Sequence, residues 1–225
     1  MPDAQTIYEF RLACHKPGCP ICTLVQRAGA RYIEGIFSES LLDPDARKKL
    51  VESTGFCYQH SWLSINLKLS DALGHAILYK DLVGNAINTI EENGKNGGLQ
   101  LSNSLDTEIP CPACLIEETT TVRIIDSVKL ALGDRGFVDE YKQSNGLCIP
   151  HLRRILQSID WKKKEIVLDH QRTCMESLKG ELADFIRKSD YRFREEAIGK
   201  EGDSYKRAAD MIKGKHQPID KKDLG

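Results

Sequence analysis

Charge of one sign is what this sequence most plainly lacks. Its 225 residues carry 32 Lys+Arg against 33 Asp+Glu, a formal net charge of −1, which argues against a chain that coats nucleic acid wholesale. Long apolar runs are missing too: none approaches the ~18 residues of a membrane span. The opening MPDAQTIYEF has neither the basic nor the apolar region of a secretory leader. Alternating runs and hairpin turns are sparse, which excludes a sheet-based core. No Ser-His-Asp order, P-loop, glycine-rich dinucleotide fingerprint, HExxH or paired ExxH is present. These absences leave an all-α chain whose expected home is the cytoplasm. Thiols stay reduced there, so eight cysteines are expected to be metal ligands rather than disulfides.

Four motifs carry that chemistry: CPIC at 19–22, GFCYQH at 55–60, CPAC at 111–114 and GLCIPH at 146–151. A proline directly after the first cysteine suits the first position of a helix, which turns both sulfurs of CPxC toward one point. The positive end of that helix favours thiolates. Cysteine and histidine three apart at a helix start share a face, and the preceding glycine lets the chain reverse. Four converging soft donors make a tetrahedral metal site. The spacing predicts one Cys3His site per copy: Cys19, Cys22, Cys57 and His60 in the first, Cys111, Cys114, Cys148 and His151 in the second. Two Zn2+ per chain are expected; the same thiolate-rich donors also accept iron or an iron–sulfur cluster.

The word copy is justified by an internal match. A shift of 92 aligns Cys19, Cys22, Arg31 and Ile33 with Cys111, Cys114, Arg123 and Ile125. A shift of 91 then aligns Asp43, Ser53, Gly55, Cys57 and His60 with Asp134, Ser144, Gly146, Cys148 and His151. The expected organisation is therefore a duplicated helical unit: an N-terminal helix within 1–18, a first repeat over 19–92, a Gly/Asn/Ser-rich linker over 93–110, a second repeat over 111–189, and a C-terminal helix with a polar tail over 190–225. Helical periodicity places Ile7, Phe10 and Cys14 on one face, Leu73, Ile77, Val83, Ile87 and Ile90 inward in the first repeat, and Val167, Cys174, Leu178, Leu182 and Phe185 inward in the second. In the C-terminal helix Asp203 is the expected cap, with Tyr205, Ala208 and Ile212 inward.

Outside the clamps, Cys14 reads as a buried thiol rather than an extra ligand, and Cys174 as core rather than nucleophile. His75, Tyr79, His170 and Cys174 would meet in a polar pocket if the long helices following the two clamps packed together. The segment 148–225 holds 18 Lys+Arg against 14 Asp+Glu, a modest basic surplus that reads as a solvated helix surface.

On CPIC, GFCYQH, CPAC and GLCIPH, together with AILYKDL at 76–82 and DYRFREE at 190–196, the chain resembles a prokaryotic family of unknown function in which paired CPxC and GxCxxH motifs recur. The resemblance spans about residues 5–213. It implies that the eight ligands form a pattern, and it implies no activity.

Closed four-ligand sites leave no open coordination position. The functional expectation is thus a zinc-binding helical scaffold or adaptor with another protein as partner and no catalytic residues. The alternatives are a metal- or thiol-dependent enzyme with a pocket between the repeats, or a nucleic-acid-binding regulator using the basic C-terminal third.

Overall fold

The computed structural model describes residues 3–40, 43–66, 72–94, 98–105, 109–193 and 195–214. Every regular element among them is helical. Helix α1 (Ala4–Cys14) starts at Asp3, whose carboxylate accepts from the Gln5 amide, and buries Phe10 and Cys14 as the periodicity predicts. Helices α2 (Pro20–Gly35) and α7 (Pro112–Ala131) each begin on the proline of a CPxC, and α2 runs on into a π turn over Ile36–Ser40. Helix α3 (Pro44–Glu52) is capped by Asp43 and α8 (Arg135–Tyr141) by Asp134, the two aspartates matched by the internal alignment. Gly55 and Gly146 follow these short helices at φ +83° and +81°, a left-handed conformation that only glycine adopts without strain. The chain turns there into α4 (Tyr58–Asn66) and α9 (Ile149–Ser158). Longer helices come next, α5 (Ala72–Asn93) and α10 (Trp161–Lys188). Helix α6 spans Gly98–Leu105 and α11 spans Ser204–Lys213.

The chain divides into two compact units whose boundaries cut across the expected segments 19–92 and 111–189. One joins Leu24 and the described residues before it to Thr121 and those after it; the other runs from Val25 to Thr120. The boundary falls inside α2 and inside α7. In the first unit Phe10 of α1 stacks on Phe137 and Tyr141 of α8, with centroids 5.6 and 6.5 Å apart. Helix α11 packs on α9 and α10. In the second unit Ala30, Ile33, Leu50, Phe56, Leu78 and Ala113 form the core, and α3 and α6 pack on α5.

Three expectations change. The stretch 93–110 contains α6, a helix packed on α5, so its Gly/Asn-rich composition does not make it a bare linker: Leu101 is half-buried there. On α5 the buried face holds Gly74 and Leu78, while Leu73 (67 %), Val83 (57 %), Ile87 and Ile90 are exposed. An apolar helix has more than one apolar stripe, and the packed one is chosen by neighbours such as Phe56 and Leu50. Likewise Tyr205 and Ile212 of α11 are about half-exposed. The α10 stripe follows its expectation better, with Val167 and Leu178 buried and Cys174, Leu182 and Phe185 half-buried. The polar tail beyond Gly214 lies outside the described residues.

Candidate metal centres

All eight predicted ligands converge, but the pairing is exchanged. Cys19 and Cys22 meet Cys148 and His151; Cys57 and His60 meet Cys111 and Cys114. Within each group the donor atoms lie within 4.8 Å of one another. The expectation of one clamp closed within 19–92 and another within 111–189 is therefore corrected: Cys19 and Cys22 group with Cys148 and His151, and Cys111 and Cys114 with Cys57 and His60. Each centre lies inside one unit.

The exchange follows from what α1 touches. Its Phe10 stacks on α8, the guanidinium of Arg11 lies 3.6 Å from Asp134, and His15 lies 2.9 Å from Glu140. The Gly18 amide then donates to Asn145 Oδ1 at 3.1 Å, directly before GLCIPH. Cys19 and Cys22 are thus delivered to Cys148 and His151, 126 residues further on in the case of Cys22 and Cys148.

The donor separations, 3.1–3.7 Å, approach those of a single tetrahedral ion. Around Zn2+ with bonds near 2.3 Å to sulfur and 2.0–2.1 Å to nitrogen, tetrahedral edges are roughly 3.8 Å for S–S and 3.6 Å for S–N. In the first centre Cys22 Sγ lies 3.5 Å from Cys148 Sγ, and His151 Nδ1 lies 3.6, 3.3 and 3.1 Å from the sulfurs of Cys19, Cys22 and Cys148. In the second, Cys57 and Cys114 sulfurs are 3.7 Å apart, and His60 Nδ1 lies 3.3, 3.7 and 3.4 Å from Cys57, Cys111 and Cys114. Both donor sets fit a metal ion.

Electrostatics agree. Three sulfurs this close cannot all be charged unless a cation sits among them. Cys148, accepting from Cys19 and Cys22, is drawn down to about 4, whereas burial drives Cys19 well above the ordinary thiol range. In the second centre burial opposes a thiolate at Cys111, but His60 and nearby amides outweigh it and bring it to about 6. Burial and the Cys111 charge push Cys114 up. Binding a metal would require the remaining thiol protons to leave.

The surroundings of the two centres differ. On the first, the side-chain amide of Gln171 (2 % exposed) brackets Leu147: its Oε1 accepts from the Leu147 amide at 2.8 Å and its Nε2 donates to the Leu147 carbonyl at 3.0 Å. This fixes the residue before Cys148. On the second, Glu117 Oε1 lies 3.1 Å from His60 Nε2. Sequence reasoning missed both. A helical Gln or Glu carries no signal until its neighbour is known, though Glu117 sits one turn after Cys114 on α7.

Cys14 is buried with its thiol raised to about 12, by burial and then by Glu140, and it stands outside both donor groups. Cys174 Sγ lies 3.5 Å from His170 Nε2, which is 3.2 Å from Ser144 Oγ. Burial raises the thiol and lowers the imidazole, so both favour their neutral forms and no thiolate–imidazolium pair is set up. His75, in the other unit, lies 3.2 Å from Ser64 Oγ and packs on the Phe37 ring. Tyr79 is half-buried on the same helix. No helix among the described residues is long and apolar enough to cross a membrane.

The chain belongs to DUF6062, a family of unknown function whose model matches residues 6–219. No curated protein and no solved structure matches it.

Proposed function

We propose that the protein is a zinc-binding helical scaffold in which two structural Cys3His ions, one per unit, hold a surface that binds another protein. The observation that carries this reading is the donor geometry: two sets of three sulfurs and one Nδ1, each gathered within 4.8 Å and close to the edge lengths of one tetrahedral ion. A multi-iron cluster would have to spread its sulfurs around several metal atoms, so a single ion suits the distances better. Four protein donors saturate Zn2+ and leave it inert as a Lewis acid, which supports a structural role. A binding role is supported by α4, which carries His60 at its start and presents Tyr58, Trp62 and Ile65 on one exposed face, Tyr58 at 80 % and Trp62 at 50 %. Exposed Trp and Tyr are residue types that dominate protein–protein hot spots. The cytoplasm, with its reduced thiols, suits such a protein.

Elemental analysis of the purified chain tests the reading, with two equivalents of zinc as the expected result. Stripping them with a strong chelator should lower helicity by circular dichroism, because the apparent binding energy of structural zinc, roughly 10–16 kcal/mol in small domains, is folding energy. An apo protein with full helicity, or bound iron in place of zinc, would overturn it.

A further inference from the structure

His60 can present only one lone pair to a metal, and which nitrogen offers it depends on where the single proton of the neutral ring sits. Nδ1 faces the sulfurs of Cys57, Cys111 and Cys114 at 3.3, 3.7 and 3.4 Å, and Nε2 faces Glu117 Oε1 at 3.1 Å. The imidazole is nearly enclosed, its side chain 5 % exposed, so the ring cannot turn to water for a different partner. We infer that Glu117 is the positioning residue of the second centre: it accepts the Nε2 hydrogen bond of His60, commits Nδ1 to a soft divalent cation, and makes that centre's hold on the ion depend on a carboxylate with no counterpart at the first centre among the described residues. This rests on the zinc reading above.

Two independent features support it. The first is Gly29, in the interior of α2. Glycine there costs about 0.5–1 kcal/mol relative to alanine, and its φ is not among the positive ones, so backbone conformation does not demand it. The Glu117 carboxylate as placed does require it: a β-carbon at position 29 would lie 2.7 Å from Glu117 Oε1 and 3.0 Å from its Cγ, so that side chain would have to move. The glycine keeps open the place that the carboxylate occupies. The second is the internal match. Under the shift of 92, Glu117 corresponds to Val25 and Gly29 to Thr121. The CPxC helix serving the first centre therefore has an apolar side chain where α7 has its carboxylate, and the polar contacts of His151 among the described residues are sulfurs. Carboxylates behind metal-bound histidines raise ligand basicity, and their loss lowers metal affinity about 10–100-fold.

The test uses full-length, zinc-loaded protein titrated with a chromophoric chelator. Glu117→Gln should weaken one of the two equivalents by about 10–100-fold and leave the other unchanged. Gly29→Ala should weaken the same equivalent although it improves helix propensity and alters no donor, a result that a merely structural role for Glu117 would not give. Nitrogen NMR on the loaded protein should show His60 protonated at Nε2, with that resonance moved in Glu117→Gln while the signals of His151 stay in place. Two variants that both hold two equivalents as tightly as the wild type, or a His60 resonance indifferent to Glu117, would overturn the inference. A wild-type protein holding fewer than two equivalents would instead defeat the zinc reading on which it rests.

Discussion

In the first centre the thiols Cys19, Cys22 and Cys148 are buried and His151 is half-exposed; in the second the order reverses, with His60 buried and Cys57, Cys111 and Cys114 half-exposed. The supporting contacts follow the same division. Gln171 and Asn145 hold backbone around the first centre, while Glu117 holds the histidine of the second. One ligand set is thus kept in shape in two ways, by fixing the loops that carry the sulfurs or by fixing the ring. The loops closed also differ. Cys22 and Cys148 are 126 residues apart, whereas His60 and Cys111 are 51 apart. Loop-closure entropy makes the longer link worth about 0.8 kcal/mol more.

The largest expected effect breaks the comparison at its root, the exchanged pairing. Cys22→Ser combined with Cys148→Ser removes donors from one centre and should cost one equivalent of metal. Cys22→Ser combined with Cys57→Ser strikes both centres and should cost two. Metal quantification on the two double variants decides; the opposite pattern would pair Cys19 and Cys22 with Cys57 and His60 instead.

Next in size is Gln171→Leu, which leaves the buried N–H and C=O of Leu147 without their partner. Buried polar groups so stranded cost about 1–3 kcal/mol each, and denaturant unfolding should show a loss of about 2–4 kcal/mol in the unit that holds the first centre. Because Leu147 precedes Cys148, chelator release of the first equivalent should quicken while the second is unaffected. Equal effects on both would show that the bracket is not local.

The smallest effect concerns a carboxylate of the same unit that belongs to neither cluster. Glu201 accepts from the Gly199 amide at 2.9 Å and from Lys188 Nζ at 2.7 Å, and these contacts, the amide first, lower its carboxyl from 4.5 to about 2. A lowered carboxyl stabilises the fold above its unfolded pKa and loses that contribution as pH falls from about 4.5 through about 2. Glu201→Gln should therefore lower the melting temperature at pH 6, and the difference from wild type should close as pH approaches 2. A difference that persists there would place the effect in packing rather than charge.

Local features of both centres were legible in the residues. Pro20 and Pro112 begin α2 and α7, Asp43 and Asp134 cap α3 and α8, Gly55 and Gly146 reverse the chain, and all eight expected donors fall in the two clusters. Each depends on neighbours a few positions away. The buried face of α5 did not follow from its pattern, since Leu73, Val83, Ile87 and Ile90 are as apolar as Leu78. A period shows which residues share a stripe, and only a packed neighbour selects the stripe that is covered.

By itself, then, the sequence determined most of the helices, the starts of those that carry the clusters and which side chains cluster, because propensity, capping and turn chemistry act over a few residues, while α6 stayed hidden in a Gly/Asn-rich stretch. It left the choice of partner open: Cys22 is 35 residues from Cys57 and 126 from Cys148, and a CPxC fits either CxxH equally well. Closing the nearer pair costs less loop entropy by about 1 kcal/mol. The tertiary structure decided for the farther one, through Phe10 stacked on Phe137 and Tyr141 and Gly18 tied to Asn145. Contacts of that kind outweigh so small an entropic difference, and they exist only once the chain has folded.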